Sequence, residues 1–223
     1  MSFRNRSHAG RLLASALANY KDTDPVILAL PRGGVPVAAE VAAALSAPLD
    51  LILVRKIGVP SQPELAMGAV VDGAEPIIVR NDGVIRLAGI DEPEFDAVCA
   101  RELQEIERRR ARYLGSRERA VIKGRTAIVI DDGVATGATT RAALRATRAR
   151  DPRRLVLAVP VAPSDSLAEL RAEVDDLVCL EEYADFGAIG YYYADFHQVS
   201  DDEVIDLLRR FPVHPGPEHG AST

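Results

Sequence analysis

Short, almost uninterrupted apolar runs recur along the chain: VILAL at 26–30, LDLILV at 49–54, TAIVI at 126–130, LVLAVPV at 155–161 and DLVCL at 176–180. Such aliphatic, β-branched runs without polar alternation suit strands covered on both faces, as in a parallel sheet. The stretches between several of them, 37–45, 138–149 and 166–172, are rich in Ala, Leu and Arg and are helix formers. Strand and helix in alternation predict a doubly wound α/β domain with a mainly parallel five-stranded sheet. Ahead of the first run, residues 9–20 place Leu12, Leu13, Ala16 and Leu17 on one side of an amphipathic helix, with Ser7 available as its cap.

Two stretches break the alternation. Residues 56–79 carry Gly58, Pro60, Pro63, Gly68, Gly73 and Pro76, and read as a long loop in which AVV at 69–71 and IIV at 77–79 can pair as a small hairpin. Residues 92–118 read as a long charged helix with Leu103, Ile106 and Arg110 at helical spacing; its ERRRAR run at 107–112 is expected to be a solvated face paired with Glu102 and Glu105. The tail from Pro212 has no core-forming residues and is expected to be disordered.

Composition narrows the class. Among 223 residues, 48% are hydrophobic and 27% charged, the balance of an ordinary globular chain. The net charge of −6 argues against nucleic-acid binding through whole-surface electrostatics. Cys99 and Cys179, with no CxxC or Cys/His cluster around them, exclude a disulfide framework and a structural zinc site and point to a reducing compartment. No membrane-length apolar stretch is present, so a cytoplasmic protein is expected. The only lysines among the 27 cationic residues are Lys21, Lys56 and Lys123, which makes each more informative than usual.

The chemistry concentrates in TAIVIDDGVATGATTRAAL, 126–144. A buried strand ends in two adjacent carboxylates, Asp131 and Asp132, followed by a Gly- and Thr-rich turn and a helix starting near Ala138. Such a turn gathers backbone N–H groups, hydroxyls and the positive end of a helix into an anion site suited to phosphate. The carboxylates would repel phosphate and suit a polyol or a metal beside it, at the strand end where open α/β sheets bind ligands. A sugar phosphate satisfies both halves.

This stretch resembles the signature of the type I phosphoribosyltransferases, an apolar strand, two acidic residues, three variable positions and T-G-x-T. The resemblance implies that Asp131 and Asp132 hold the ribose hydroxyls of phosphoribosyl pyrophosphate (PRPP), and that Ala135, Thr136, Gly137, Ala138 and Thr139, with Thr140 able to join, wrap its 5′-phosphate. It extends to LPRGGVPVA, where Arg32, Gly33 and Gly34 match the family's pyrophosphate loop with its often cis peptide, and to Arg55-Lys56-Ile57-Gly58, where Lys56 is the expected pyrophosphate ligand and Arg55 faces the sheet. VPSQPELAMGA then falls where the family has a mobile loop, about 56–75, that closes over the site. The implied organisation is a hood helix over 1–24, a PRPP-binding core over 25–180, hood and C-terminal helix over 181–211, and a tail over 212–223.

In this family the acceptor lies under a variable hood. Here the hood holds Tyr183, Phe186, Tyr191, Tyr192, Tyr193 and Phe196, able to stack on a planar base or to form a small core of their own. Phe186, Gly190, Tyr191 and Asp195 resemble the F-x-x-G-Y-x-x-D arrangement of 6-oxopurine enzymes, with both gaps one residue longer. Ala135 stands where those enzymes have an Asp, and VPVAPSD at 159–165 lacks their lysine. The implied reaction is Mg²⁺-dependent transfer of the phosphoribosyl group to a nitrogenous base or amine in nucleotide metabolism. Arg32, Lys56 and Asp132 would be catalytic, Asp131 and Asp132 would face the metal indirectly, and a cytoplasmic homodimer without nucleic-acid or membrane partners is expected. The alternative is a PRPP-sensing regulator on the same fold. A haloacid-dehalogenase-like phosphatase is disfavoured, because its two aspartates are separated by one residue.

Overall fold

A computed structural model describes residues 2–73 and 76–211. The tail expected over 212–223 lies outside the described residues. The chain runs α1 (Arg6–Ala16), β1 (Pro25–Ala29), α2 (Gly34–Leu45), β2 (Leu49–Leu51), β3 (Val54–Val59), β4 (Gln62–Val71), β5 (Ile77–Arg80), α3 (Asp82–Ala88) and α4 (Glu92–Leu114). It continues through β6 (Thr126–Ile130), α5 (Ala138–Arg148), β7 (Arg154–Pro163), α6 (Ser164–Leu170), β8 (Asp176–Tyr183) and α7 (Asp201–Arg209).

Five strands form an all-parallel sheet in the order β2-β1-β6-β7-β8, as the apolar runs predict. Both faces are covered. Ile27, Ala29, Ile128 and Ile130 pack into one core with Leu13, Val41 and Ile106, while Val26, Leu28, Ala127 and Val129 pack into the other with Leu144 and Leu167. Each buried Val, Leu or Ile side chain among these contributes about 1.5–3 kcal/mol by leaving water.

Three local expectations are corrected first. Asn5, not Ser7, caps α1: its side chain accepts from the His8 N–H at 2.9 Å. The apolar run at 49–54 is not one core strand. β2 ends at Leu51, because its partner β1 ends at Ala29, and the chain turns at once into β3. The long helix stops at Leu114 rather than 118, at Gly115 with φ 54°, and Arg117 then places its guanidinium on the carbonyls of Leu49, Leu208 and Phe211.

The largest correction concerns the segment read as a loop over 56–75. β3 and β4 form an antiparallel hairpin turning at Pro60 and Ser61, and β5 adds a third strand with Ala69 opposite Val79 and Val71 opposite Ile77, as the 69–71 and 77–79 runs predicted. Gly58, Pro63 and Gly68 lie within its strands. A Cβ on Gly58 would lie 2.4 Å from the Pro63 carbonyl, and one on Gly68 would lie 2.6 Å from the Val79 carbonyl. Both glycines therefore permit close backbone approach within the sheet. Ile57, Met67 and Val70 anchor the sheet under Phe95 and Val98 of α4. In the ERRRAR run, Arg108 and Arg109 pair with Glu105 at 2.8 Å as expected, whereas Glu102 is taken by Arg55 at 2.7 Å.

Candidate functional site

The chain moves from β1 to β2 on one side of the sheet and returns at β6 on the other, so the crevice between β1 and β6 is the topological switch point where such sheets bind ligands. The Leu30 N–H donates to the Ile130 carbonyl at 2.9 Å, holding the two strand ends together. Beyond them, Arg32, Gly33 and Gly34 on one side face Asp131 and Asp132 on the other. The Pro31–Arg32 peptide is cis. A Cβ on Gly34 would lie 2.7 Å from the Ile130 carbonyl and 2.9 Å from Asp131 Cα, and one on Gly33 would lie 2.0 Å from Asp132 Oδ2. The double glycine is thus the only residue pair small enough to let the α2 N-terminus close onto the acidic pair.

Asp131 is half-buried, and its Oδ1 accepts from the Asp132 N–H at 2.9 Å. Burial and the adjacent Asp132 carboxylate push Asp131 well above the ordinary carboxylate range. Burial also raises Asp132, against the lowering pull of Arg6. Asp132 is 7% exposed and pairs with Arg6, whose Nε donates to Oδ2 at 2.7 Å.

After the carboxylates, the Val134 N–H donates to the Val161 carbonyl at 3.0 Å and the Ser166 hydroxyl donates to the Ala135 carbonyl at 2.7 Å, fixing the turn against β7 and α6. Gly137 takes φ 73° and precedes α5, whose N-terminus no side chain among the described residues caps. The first α5 amides are therefore open to an anion. Ala135, Thr136, Ala138 and Thr139 are exposed there, whereas Thr140 is buried.

Lys56 lies mid-strand on β3, paired with Glu64 at 3.0 Å, rather than at the end of a core strand. It lines a cavity of about 350 Å³ shared with Ala138, Thr139, Arg80 and Arg141, and so meets the site from the side of the phosphate turn. Arg32 is half-exposed, with Nη1 3.7 Å from Asp201 Oδ1 at the start of α7. Asp201 also accepts from the Tyr113 hydroxyl at 2.6 Å and pairs with Arg112 at 2.9 Å.

The two segments expected to form the hood, one ahead of β1 and one after β8, meet in a small third core. Phe3 pairs with Tyr193 across a parallel bridge and packs with Ala9, Tyr183, Phe186, Ile189 and Tyr192. Phe186 stacks on Tyr192 at 5.0 Å, Tyr191 is 74% exposed, and Asp195 accepts from His197 at 3.1 Å. Of the three residues proposed for the acceptor, Phe186 therefore belongs to the hood's own aromatic packing, Asp195 is turned to His197, and Tyr191 alone offers an open ring. Ile189 closes over the site: a Cβ on Gly133 would lie 2.8 Å from its Cγ2.

Arg6 is the contact that sequence reasoning missed. It falls at the i−3 and i−7 positions of Ala9 and Leu13, on the buried stripe of α1. A cation in register with an apolar stripe was the available signal.

A parallel α/β sheet with this strand order, an acidic pair at the switch point and an open helix N-terminus after it is the type I phosphoribosyltransferase architecture. The family described as phosphoribosyl transferase domain matches residues 5–196, and the chain belongs to it. "Putative phosphoribosyl transferase Rv0571c" of Mycobacterium tuberculosis is 48% identical over 93% of this chain, which spans only 46% of that relative's length. The chain thus covers about half of the curated relatives it matches. TT1426 of Thermus thermophilus is 44% identical across 95% of this chain and 100% of its own, with a TM-score of 0.83. A hypothetical protein from Neisseria gonorrhoeae with bound ppGpp, 15% identical over 94% of each chain at a TM-score of 0.51, shares the fold.

Proposed function

We propose that the protein transfers the 5-phosphoribosyl group of PRPP to a nitrogenous base or amine, releasing pyrophosphate. One observation carries this reading: the Asp131–Asp132 pair at the end of β6 stands between the double-glycine turn of β1 and the uncapped start of α5. Two anion-binding turns on either side of a polyol-binding carboxylate pair match a sugar with phosphate at one end and diphosphate at the other. Thr136, Thr139 and the first α5 amides would take the 5′-phosphate, the acidic pair the ribose hydroxyls, and Arg32 with the Gly33 and Gly34 amides the diphosphate.

In the reaction, the bond from ribose C1 to pyrophosphate breaks and a bond from C1 to the acceptor nitrogen forms, with the nitrogen's proton passing to solvent or to the leaving group. The protein would act by positioning and by stabilising the charge that develops on the departing diphosphate. The arginine fork and backbone amides are ready-made for this, and Lys56 on the β3–β4 hairpin adds a charge from the opposite side. The hood would cover the acceptor and keep water from the reacting carbon.

Magnesium fits the donor set. The acidic pair supplies hard oxygens at the strand end beside the two anion-binding turns. A Mg²⁺ ion held by substrate phosphates needs only one or two carboxylates from the protein, and Asp131 and Asp132 would supply them here. Bound there, Mg²⁺ would supply charge neutralisation on the diphosphate. No described helix is long and apolar enough to cross a membrane; action in the cytoplasm as a homodimer completes the proposal.

The test follows pyrophosphate release with PRPP, Mg²⁺ and a panel of purines, pyrimidines and small amines. Release above the acceptor-free rate with at least one of them supports transfer. Binding of PRPP with silence across the panel favours the sensor over the enzyme.

A further inference from the structure

We infer that Arg6 is a positioning residue of this site: by fixing Asp132 against Gly33, it makes Asp131 the carboxylate presented to the ribose and ties the hood to the pyrophosphate loop. The inference rests on the PRPP reading and divides a task that the acidic-pair motif assigns to both aspartates alike.

Arg6 is held on every side. It is 7% exposed, its Nε donates to Asp132 Oδ2 at 2.7 Å, its Nη1 donates to the His197 carbonyl at 2.7 Å, and its guanidinium lies 3.9 Å from the centre of the Phe196 ring. A buried guanidinium is tolerated only when its hydrogen bonds are made and its charge is met. Two charge-assisted bonds and an aromatic face meet that condition.

Asp132 is equally constrained. Oδ2 accepts from Arg6 and fills the space that a side chain on Gly33 would need, 2.0 Å from where its Cβ would stand, so the carboxylate cannot turn away from the loop without breaking the ion pair. Its backbone carbonyl accepts from the Tyr193 hydroxyl at 2.6 Å. One residue therefore joins three parts of the site: α1 through Arg6, the hood through Tyr193, and the pyrophosphate loop through Gly33. Asp131, half-buried beside it, keeps part of its surface in solvent. The Arg6 charge on Asp132 also lowers the cost of holding a second carboxylate next to it.

The experiment is calorimetric titration of PRPP with Mg²⁺ into wild type, Arg6→Gln, Arg6→Lys, Asp132→Asn and the Arg6→Gln/Asp132→Asn double variant, each with its melting temperature. Arg6→Gln is expected to weaken PRPP roughly tenfold, Arg6→Lys to recover part of the loss, and the double variant to bind no worse than Asp132→Asn alone, the mark of two residues acting as one unit. A purely structural role would lower the melting temperature and leave the affinity of the folded protein untouched. Wild-type affinity in folded Arg6→Gln, or independent, multiplying losses in the double variant, overturns the inference while leaving the PRPP site standing. Should Arg6→Gln not fold, Arg6→Lys decides: a severalfold loss supports the inference and wild-type affinity refutes it. Absence of PRPP binding by wild type refutes the site reading and the inference with it.

Discussion

Gly33 and Asp132 occupy what would be a single space: a side-chain carbon on the glycine would sit 2.0 Å from Asp132 Oδ2 and 2.5 Å from its Cγ. Gly33 has φ −60°, a conformation open to any residue, so the requirement is room and not torsion. Gly33→Ala must therefore displace either the carboxylate or the start of α2. It is expected to cost about 1–3 kcal/mol in urea denaturation and to weaken PRPP binding more than a surface glycine substitution such as Gly89→Ala does.

Lys56 offers the opposite case. It is exposed and pairs with exposed Glu64, an arrangement worth little to stability. Lys56→Ala should leave the unfolding free energy within about 0.5 kcal/mol of wild type and lower the rate of pyrophosphate release about tenfold or more through loss of a charge-assisted contact. An unchanged rate would place the hairpin outside the chemistry.

Arg119 and Asp72 form an ion pair in which the Asp72 side chain is only 2% exposed. The pair pins the end of β4, and so the small sheet, to the loop ahead of β6. Arg119→Met leaves a buried carboxylate alone and is expected to cost about 3–5 kcal/mol. Arg119→Met combined with Asp72→Leu should recover part of that loss, as chemical denaturation would show.

His197 sits between Glu203 and Asp195, both at 3.2 Å, and these carboxylates, Glu203 foremost, raise its pKa above 6.5. A histidine raised on folding adds stability below the pKa of the unfolded chain and loses it as pH rises through the folded value. Ring-proton NMR should therefore show His197 titrating above 6.5 in wild type, and Glu203→Gln should bring the midpoint down. A midpoint unmoved by Glu203→Gln would contradict the assignment.

Much of the fold can be read from the chain because a parallel sheet buried on both faces writes its strands as unbroken apolar runs, and TAIVI and LVLAVPV could be little else. DDGVATGATT is equally readable, since acids, glycine and threonines in that order have few purposes. The β3–β4 hairpin was obscured because Gly58 and Gly68 look like loop residues when their task is to admit a neighbouring backbone. Arg6 was obscured because a lone arginine near a chain end looks solvated. Its partner is 126 residues away, and only the folded hood brings Phe196 and His197 around it. Local pattern fixes elements; contacts between distant segments set which carboxylate is free.

The central claim is that the acidic pair and its two flanking turns bind PRPP, and calorimetric titration of PRPP with Mg²⁺ into wild type and Asp131→Asn tests it most directly. Saturable one-site binding by wild type, weakened at least about tenfold in a folded Asp131→Asn variant, is the predicted result. No binding by wild type, or equal affinity in the variant, would contradict it.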